Sequence, residues 1–127
     1  MESFKWNRIL VVDDIKQNRE LLLNLFSWMW IESAEASNGA EAVTKATRYR
    51  FNVIIMDIEM PIKDWIKATR ELRESGNDCI IVWFSGNVHP KLEEECKGSW
   101  MNHIFAKPQW LMAMLNYVKE QVQLQTQ

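Results

Sequence analysis

Arg8-Ile9-Leu10-Val11-Val12-Asp13-Asp14 is a short apolar run, rich in β-branched residues, that breaks off at two acids. Val53-Ile54-Ile55-Met56-Asp57 and Ile80-Ile81-Val82-Trp83-Phe84-Ser85 repeat the design, each a continuous hydrophobic stretch closed by one polar residue. A strand with one wet face would alternate. Continuity instead marks strands covered on both sides, as in a parallel sheet. Strands are therefore expected over Arg8–Val12, Phe51–Met56 and Ile80–Phe84, with weaker runs at Ile31–Ala36 and His103–Ala106. Helical periods lie between and after them. Leu21, Leu22, Leu25 and Met29 mark a first apolar face, Val43 with Ala46 a second, and Ile66, Thr69 and Leu72 a third. Val88, Leu92 and Cys96 give a fourth, and Leu111, Met114, Leu115, Val118 and Val122 a fifth and clearest one. Asn38-Gly39 stands before the second period, Ser75-Gly76-Asn77-Asp78 closes the third, and Pro108 stands where the fifth opens. Five alternations of strand and helix predict an α/β, doubly wound domain with helices on both faces of a parallel five-stranded sheet.

The chain has 127 residues, one domain's worth, so residues 1–127 are read as a single domain without linker or internal repeat. With 47% hydrophobic and 25% charged residues the composition excludes a disordered, collagen-like or disulfide-scaffold chain. A formal net charge of -2 offers no basic field for nucleic acid or an anionic membrane surface, so small-molecule or protein partners are expected. No apolar stretch approaches a membrane span, and Met1–Leu10 lacks the features of a secretory signal; the expectation is a cytoplasmic protein. Cys79 and Cys96 show no metal-ligand spacing and read as free thiols in place of a disulfide or zinc site. Trp outnumbers Gly, seven to four, which is unusual for a chain with this many turns.

In a doubly wound sheet, ligands gather beyond the carboxyl ends of the strands. Asp13 and Asp14 end the first strand, Asp57 the third, Ser85 the fourth, and Lys107 the fifth. Several carboxylates brought together repel, which raises at least one pKa unless a cation joins them. Mg2+ suits such a partial acidic cup, because it keeps several waters and commonly takes one or two carboxylates together with a phosphoryl oxygen. Asp57 is then the candidate nucleophile, able to accept a phosphoryl group as an acyl phosphate while the metal and Lys107 neutralise the equatorial oxygens. Ser85 supplies a hydroxyl to a phosphoryl oxygen, and Gly86 leaves room beside it. The backbone carbonyl of Glu59, two residues past Asp57, is a further oxygen for the metal.

Taken singly, each feature has a plainer explanation. Asp13-Asp14 before a helix is a turn and cap, Asp57 before Met60-Pro61 is a loop residue, Ser85-Gly86-Asn87 is a turn, and Lys107-Pro108 is a solvated loop. Their occurrence together at the ends of strands one, three, four and five is what points to a common site. The helical apolar stripes read as core, and His89 and His103 as surface or loop residues.

With these residues in view, the chain resembles the receiver domain of bacterial response regulators, especially those attached to hybrid sensor kinases. The resemblance spans nearly the whole length. It rests on Ile9–Asp14, Ala36-Ser37-Asn38-Gly39-Ala40-Glu41-Ala42-Val43, Ile55-Met56-Asp57-Ile58-Glu59-Met60-Pro61, Ala68-Thr69-Arg70-Glu71-Leu72-Arg73 and Phe105-Ala106-Lys107-Pro108. It implies a flavodoxin-like (βα)5 fold with strand order 2-1-3-4-5. It implies Mg2+ held by Asp13, Asp14 or both, with Asp57 and the Glu59 carbonyl. It also implies phosphoryl transfer to Asp57 from a histidine kinase or histidine phosphotransfer domain. Ser85 and Phe105 take the switch positions, which bias the surface of the fourth helix, fifth strand and fifth helix between two populations. Glu59 and Asn87 fall where the family tunes the lifetime of the phosphoryl group.

The departures concern tryptophan. The family commonly has Gly where this chain has Trp30, Trp65 and Trp100, each placed near a helix boundary, and a small residue where it has Trp83. Left-handed backbone at all three boundary sites would cost roughly 1 to 2 kcal/mol each, so local loop rearrangement around an intact sheet is expected. Trp65 is expected in the loop after the phosphorylation strand, leaning over the metal cup. A Trp-rich surface is expected to favour self-association. Two rivals follow. A haloacid-dehalogenase-like phosphatase also uses an Asp with a second acid two residues on, as in Asp57-Ile58-Glu59, but its nucleophile normally ends the first strand. A receiver scaffold that has lost phosphorylation would act as an interaction module. The main reading is a signalling domain, not a multi-turnover enzyme. No DNA-binding or catalytic output segment is read after the fifth helix, which leaves a stand-alone module and a piece of a hybrid kinase equally open.

Overall fold

A computed structural model of the chain describes residues 9–57, 62–86, 94, 101–107 and 110–125. In chain order the elements are β1 (Ile9–Val12), α1 (Lys16–Trp28), β2 (Ser33–Ala36), α2 (Gly39–Arg48), β3 (Val53–Asp57), α3 (Ile62–Glu74), β4 (Ile80–Ser85), β5 (His103–Ala106) and α4 (Leu111–Gln125). The fourth helical period, with Val88, Leu92 and Cys96, lies outside the described residues, as do Glu59, Asn87, His89, Trp100 and Pro108. Thus α4 is the fifth helical period of the sequence. The five strands pair in parallel in the order β2-β1-β3-β4-β5, as expected.

Alternation along the buried strands sends side chains to two separate cores. Ile9 and Val11 of β1, Val53 and Ile55 of β3, and Val82 and Phe84 of β4 meet Leu22 and Phe26 of α1 and Met114, Leu115, Val118 and Val122 of α4. Leu10, Val12, Ile54, Met56, Ile81 and Trp83 face the other way, onto Ala42 and Ala46 of α2 and Trp65, Ala68 and Leu72 of α3. Both sides of the sheet are therefore covered, which is why its central strands read as unbroken apolar runs.

Local chemistry sets the helix ends. Asn38 caps α2, its side chain accepting a hydrogen bond from Glu41 N at 2.8 Å, while the Glu41 carboxylate reaches back to Ser37 N at 2.6 Å. α3 and α1 end in the same hydrogen-bonded pattern. At α3, Gly76 N donates to Arg73 O and Asn77 N to Leu72 O, with Gly76 at φ 88°. At α1, Trp30 N donates to Ser27 O and Ile31 N to Phe26 O, with Trp30 at φ 61°. Both are Schellman endings. In the first the left-handed position holds glycine, in the second an indole that is 95% exposed.

The tryptophan expectations are corrected in part. Trp65 is not in a loop over the acidic cup. α3 starts at Ile62, so Trp65 sits inside the helix and is fully buried in the α2–α3 core. There it meets Trp83 edge to face at a centroid distance of 4.4 Å. The Trp83 indole N–H points to Thr69 Oγ1 at 3.4 Å, and that hydroxyl donates to Trp65 O at 2.7 Å. Two large side chains thus share one volume, with their polar atoms partnered. Among the described residues only Trp30 is a non-glycine at positive φ. The apolar face of α1 is also rotated from the expected one: Leu22 and Phe26 are buried, whereas Leu21 is 54% exposed. Stepping four residues from Leu22 reaches Phe26, and Leu21 is turned about 100° away.

Candidate functional site

The register of the sheet assembles the site. Val12 pairs with Met56, so the next residues, Asp13 and Asp57, leave adjacent strands side by side. Ser85 pairs with Ala106, which places Lys107 one step beyond the tip of β4. Asp13, Asp57 and Ser85 are all buried, at 2%, 4% and 3% exposure. Buried polar groups at strand tips need partners, and they have them. Lys107 Nζ lies 2.5 Å from Asp57 Oδ2, across 50 residues of sequence. Lys107 N donates to Ser85 O at 2.6 Å. Its ammonium group also stands 5.2 Å from the centre of the Phe84 ring, which gives it an apolar and π-rich floor.

Asp13 is hydrogen-bonded to Asp57, and burial pushes its pKa up to about 7. The Asp57 hydrogen bond and charge act in the same direction, opposed by the Ile15 N–H and by Lys107. Two carboxyl groups here share one ammonium, so one of them holds a proton up to near neutrality. Asp13 Oδ1 accepts from Ile15 N at 2.8 Å, which fixes the carboxyl at the start of α1. Ile15 itself occupies the cap position without a side-chain cap, so the acidic pair serves the site more than the helix.

Asp13, Asp57, Ser85 and Lys107 are thus gathered at one edge, as expected. Asp14 is not drawn in with them; it is exposed. Among the described residues no three His, Cys, Asp or Glu side chains are grouped as a metal cluster. Phe105 is buried on the α1–α4 side, stacked on His103 at 4.2 Å and flanked by Trp110 and Tyr117 at 6.3 and 5.6 Å. His103 is exposed, as expected of a residue that is not a ligand, but its stacking role was not foreseen. The signal was the spacing: His103 and Phe105, two apart on β5, share a face. Arg19 was also missed. One turn into α1, it donates to Asp13 O at 2.7 Å and pairs with Glu35 Oε1 at 2.7 Å, tying β1, β2 and α1 together behind the acid. Beside Asp57 and Lys107 lies a cavity of about 130 Å³ walled by Leu22, Ile55, Phe84 and Leu111. Cys79 is a buried free thiol whose pKa burial raises to about 11. Among the described residues no helix is long and apolar enough to cross a membrane.

Comparison with known proteins places this geometry. The family model described as response regulator receiver domain matches residues 9–119. The CAI-1 autoinducer sensor kinase/phosphatase CqsS of Vibrio cholerae is 32% identical over 114 residues, which cover 87% of this chain and 17% of that protein. This chain therefore spans under a fifth of that relative. Among solved structures, the receiver domain of a sensor histidine kinase from Pseudomonas aeruginosa, with a magnesium ion coordinated in the active site cleft, matches at TM-score 0.79 and 27% identity. That match covers 93% of this chain and 98% of the other. The receiver domain of Ssk1 from Saccharomyces cerevisiae, crystallised with the histidine phosphotransfer protein Ypd1, matches at TM-score 0.83 and 23% identity over 98% of this chain and 94% of that one, a likeness of fold.

Proposed function

The chain belongs to the response regulator receiver domains of two-component signalling, and from that premise we propose that Asp57 accepts a phosphoryl group from a histidine kinase or a histidine phosphotransfer domain. The observation that carries this reading is the buried ion pair of Asp57 with Lys107, with Asp13 hydrogen-bonded to the same carboxyl. A nucleophile, a counter-cation and a second acid meet where the fold collects ligands.

Mg2+ fits the residues present. Asp13 and Asp57 are hard oxygen donors, buried and adjacent, and the raised pKa of Asp13 reports an excess of negative charge that a divalent cation would relieve. Two carboxylates suffice for an ion that keeps most of its waters. Asp13 and Asp57 would hold it, with Asp14 from the solvent side and the Glu59 carbonyl as the remaining contributors. When bound, the metal supplies charge neutralisation to the phosphoryl oxygens.

The chain's own residues do the rest. A carboxylate oxygen of Asp57 attacks phosphorus as the bond to the donor imidazole breaks, giving an acyl phosphate. Lys107, already positioned, turns from the Asp57 oxygen to a phosphoryl oxygen. Ser85 donates its hydroxyl to another, and Phe105 follows into the space released, shifting the surface around β5 and α4 between two populations. Glu59 and Asn87 set how long the product survives. The domain acts once per phosphorylation in the cytoplasm, with a protein as its target, and is not a multi-turnover enzyme. The phosphorylation-defective alternative loses its main support, since Trp65 and Trp83 pack on the sheet face opposite the acidic pair.

The test is intact mass after incubation with Mg2+ and acetyl phosphate. The wild-type chain is expected to gain one labile phosphoryl group and Asp57→Ala none; a stable adduct, or equal labelling of both, would refute the assignment.

A further inference from the structure

The cavity beside the acceptor is larger and drier than phosphoryl transfer requires. Leu22, Ile55, Phe84 and Leu111 form its walls, Leu21 stands at its exposed rim, and Asp57 and Lys107 close its polar end. At about 130 Å³ it is close to the roughly 150 Å³ apolar cavity known to accept benzene. A phosphoryl oxygen cluster and its counter-ions need only the polar end. The apolar remainder has no role in the transfer described above.

We propose that this slot is a leaving-group subsite, and that the domain takes its phosphoryl group directly from small acyl phosphates whose acyl group is apolar and up to phenyl-sized. The inference rests on Asp57 being the phosphoacceptor. In-line attack sets the leaving oxygen opposite the attacking carboxylate, about 5 Å from it, and the slot extends from Asp57 over that reach. The step balances without a further reactant. An Asp57 oxygen bonds to phosphorus, the P–O bond to the acyl group breaks, and the electron pair leaves on the carboxylate product. A methyl leaves most of the slot unfilled, whereas a phenyl removes its walls from water, and apolar filling of this size changes specificity about 10- to 100-fold.

The experiment compares benzoyl phosphate with acetyl phosphate in labelling the whole chain with Mg2+, read by intact mass. Rates are normalised to the reaction of each donor with hydroxylamine. Benzoyl phosphate is expected to be favoured at least 10-fold, and Leu21→Trp, which fills the rim, is expected to bring the ratio down toward one. Binding is followed separately by methyl NMR of Leu22 and Leu111 with phenylphosphonate, which cannot transfer; these methyls are expected to shift, and methylphosphonate to leave them in place. Labelling by acetyl phosphate with no benzoyl preference overturns the subsite and leaves Asp57 as acceptor. Phenylphosphonate shifts without labelling by either donor overturn both the transfer and the acceptor reading. If Leu21→Trp slows transfer from a histidine phosphotransfer protein while the donor ratio stays at one, the slot receives a protein side chain and the proposal falls.

Discussion

Replacing Trp30 by glycine is expected to stabilise this domain, against the usual direction of point substitutions. Trp30 holds φ 61° because the α1 ending needs a left-handed residue to bring Trp30 N and Ile31 N onto the Ser27 and Phe26 carbonyls. A Cβ in that region costs about 1 to 2 kcal/mol. Glycine removes the cost but returns about 0.5 to 1 kcal/mol through its freer unfolded chain. With the indole 95% exposed there is no packing to lose. The net expectation is about 0.5 to 1 kcal/mol of stabilisation, a rise in Tm of about 2 to 5 °C for a domain of this size. Urea titration of wild type, Trp30→Gly and Trp30→Ala separates the causes, since alanine removes the indole and keeps the Cβ. The reasoning fails if alanine gains as much as glycine, or if glycine lowers the midpoint without changing the slope.

Further outcomes follow from the site and the cores. The folded-state pKa of Asp13, about 7, lies above its ordinary value. Its protonation therefore supports the metal-free fold fully below pH 4, and that support is lost as pH rises to 7. Urea midpoints in EDTA should fall over this window in wild type and less so in Asp13→Asn, with Mg2+ flattening the wild-type slope. Lys107→Ala should slow acetyl phosphate labelling of Asp57 about 10²- to 10³-fold, by the loss of one preorganised cationic donor, as read by time-resolved intact mass. Trp83→Ala should cost about 3 to 5 kcal/mol by opening a cavity against Trp65, measured by urea denaturation, and Trp83→Phe clearly less. Trp28 and Trp30, both exposed at the end of α1, should make sedimentation velocity concentration-dependent, and Trp28→Ser with Trp30→Ser should abolish that dependence.

The sheet and the polar tips were legible because burial on both faces writes itself as continuous apolar runs, and a run must end in something polar at the rim. Asp13, Asp57, Ser85 and Lys107 follow directly from that rule. Strand 2 was the weak element: Ser33–Ala36 is an edge with small and acidic residues, so apolar continuity marked it poorly and the expected Ile31–Ala36 ran two residues long at its start. Trp65 was misplaced because glycine in relatives suggested a loop, whereas the helix begins three residues earlier and Trp83 supplies the matching volume across the sheet. The contact between those two indoles is 18 residues apart in sequence and has no local signature. Arg19 was invisible for a related reason: its partners are a backbone carbonyl and a residue on β2, neither of which leaves a spacing to recognise.

The amide of Lys107 is fastened to the carbonyl of Ser85, so the hydroxyl and the ammonium that would embrace an incoming anion ride on one rigid splice between neighbouring strand tips. Neither can close on its target without dragging the other. A cleft built this way latches as a single jaw, and intermediate grips, with one arm in and one out, are mechanically disfavoured.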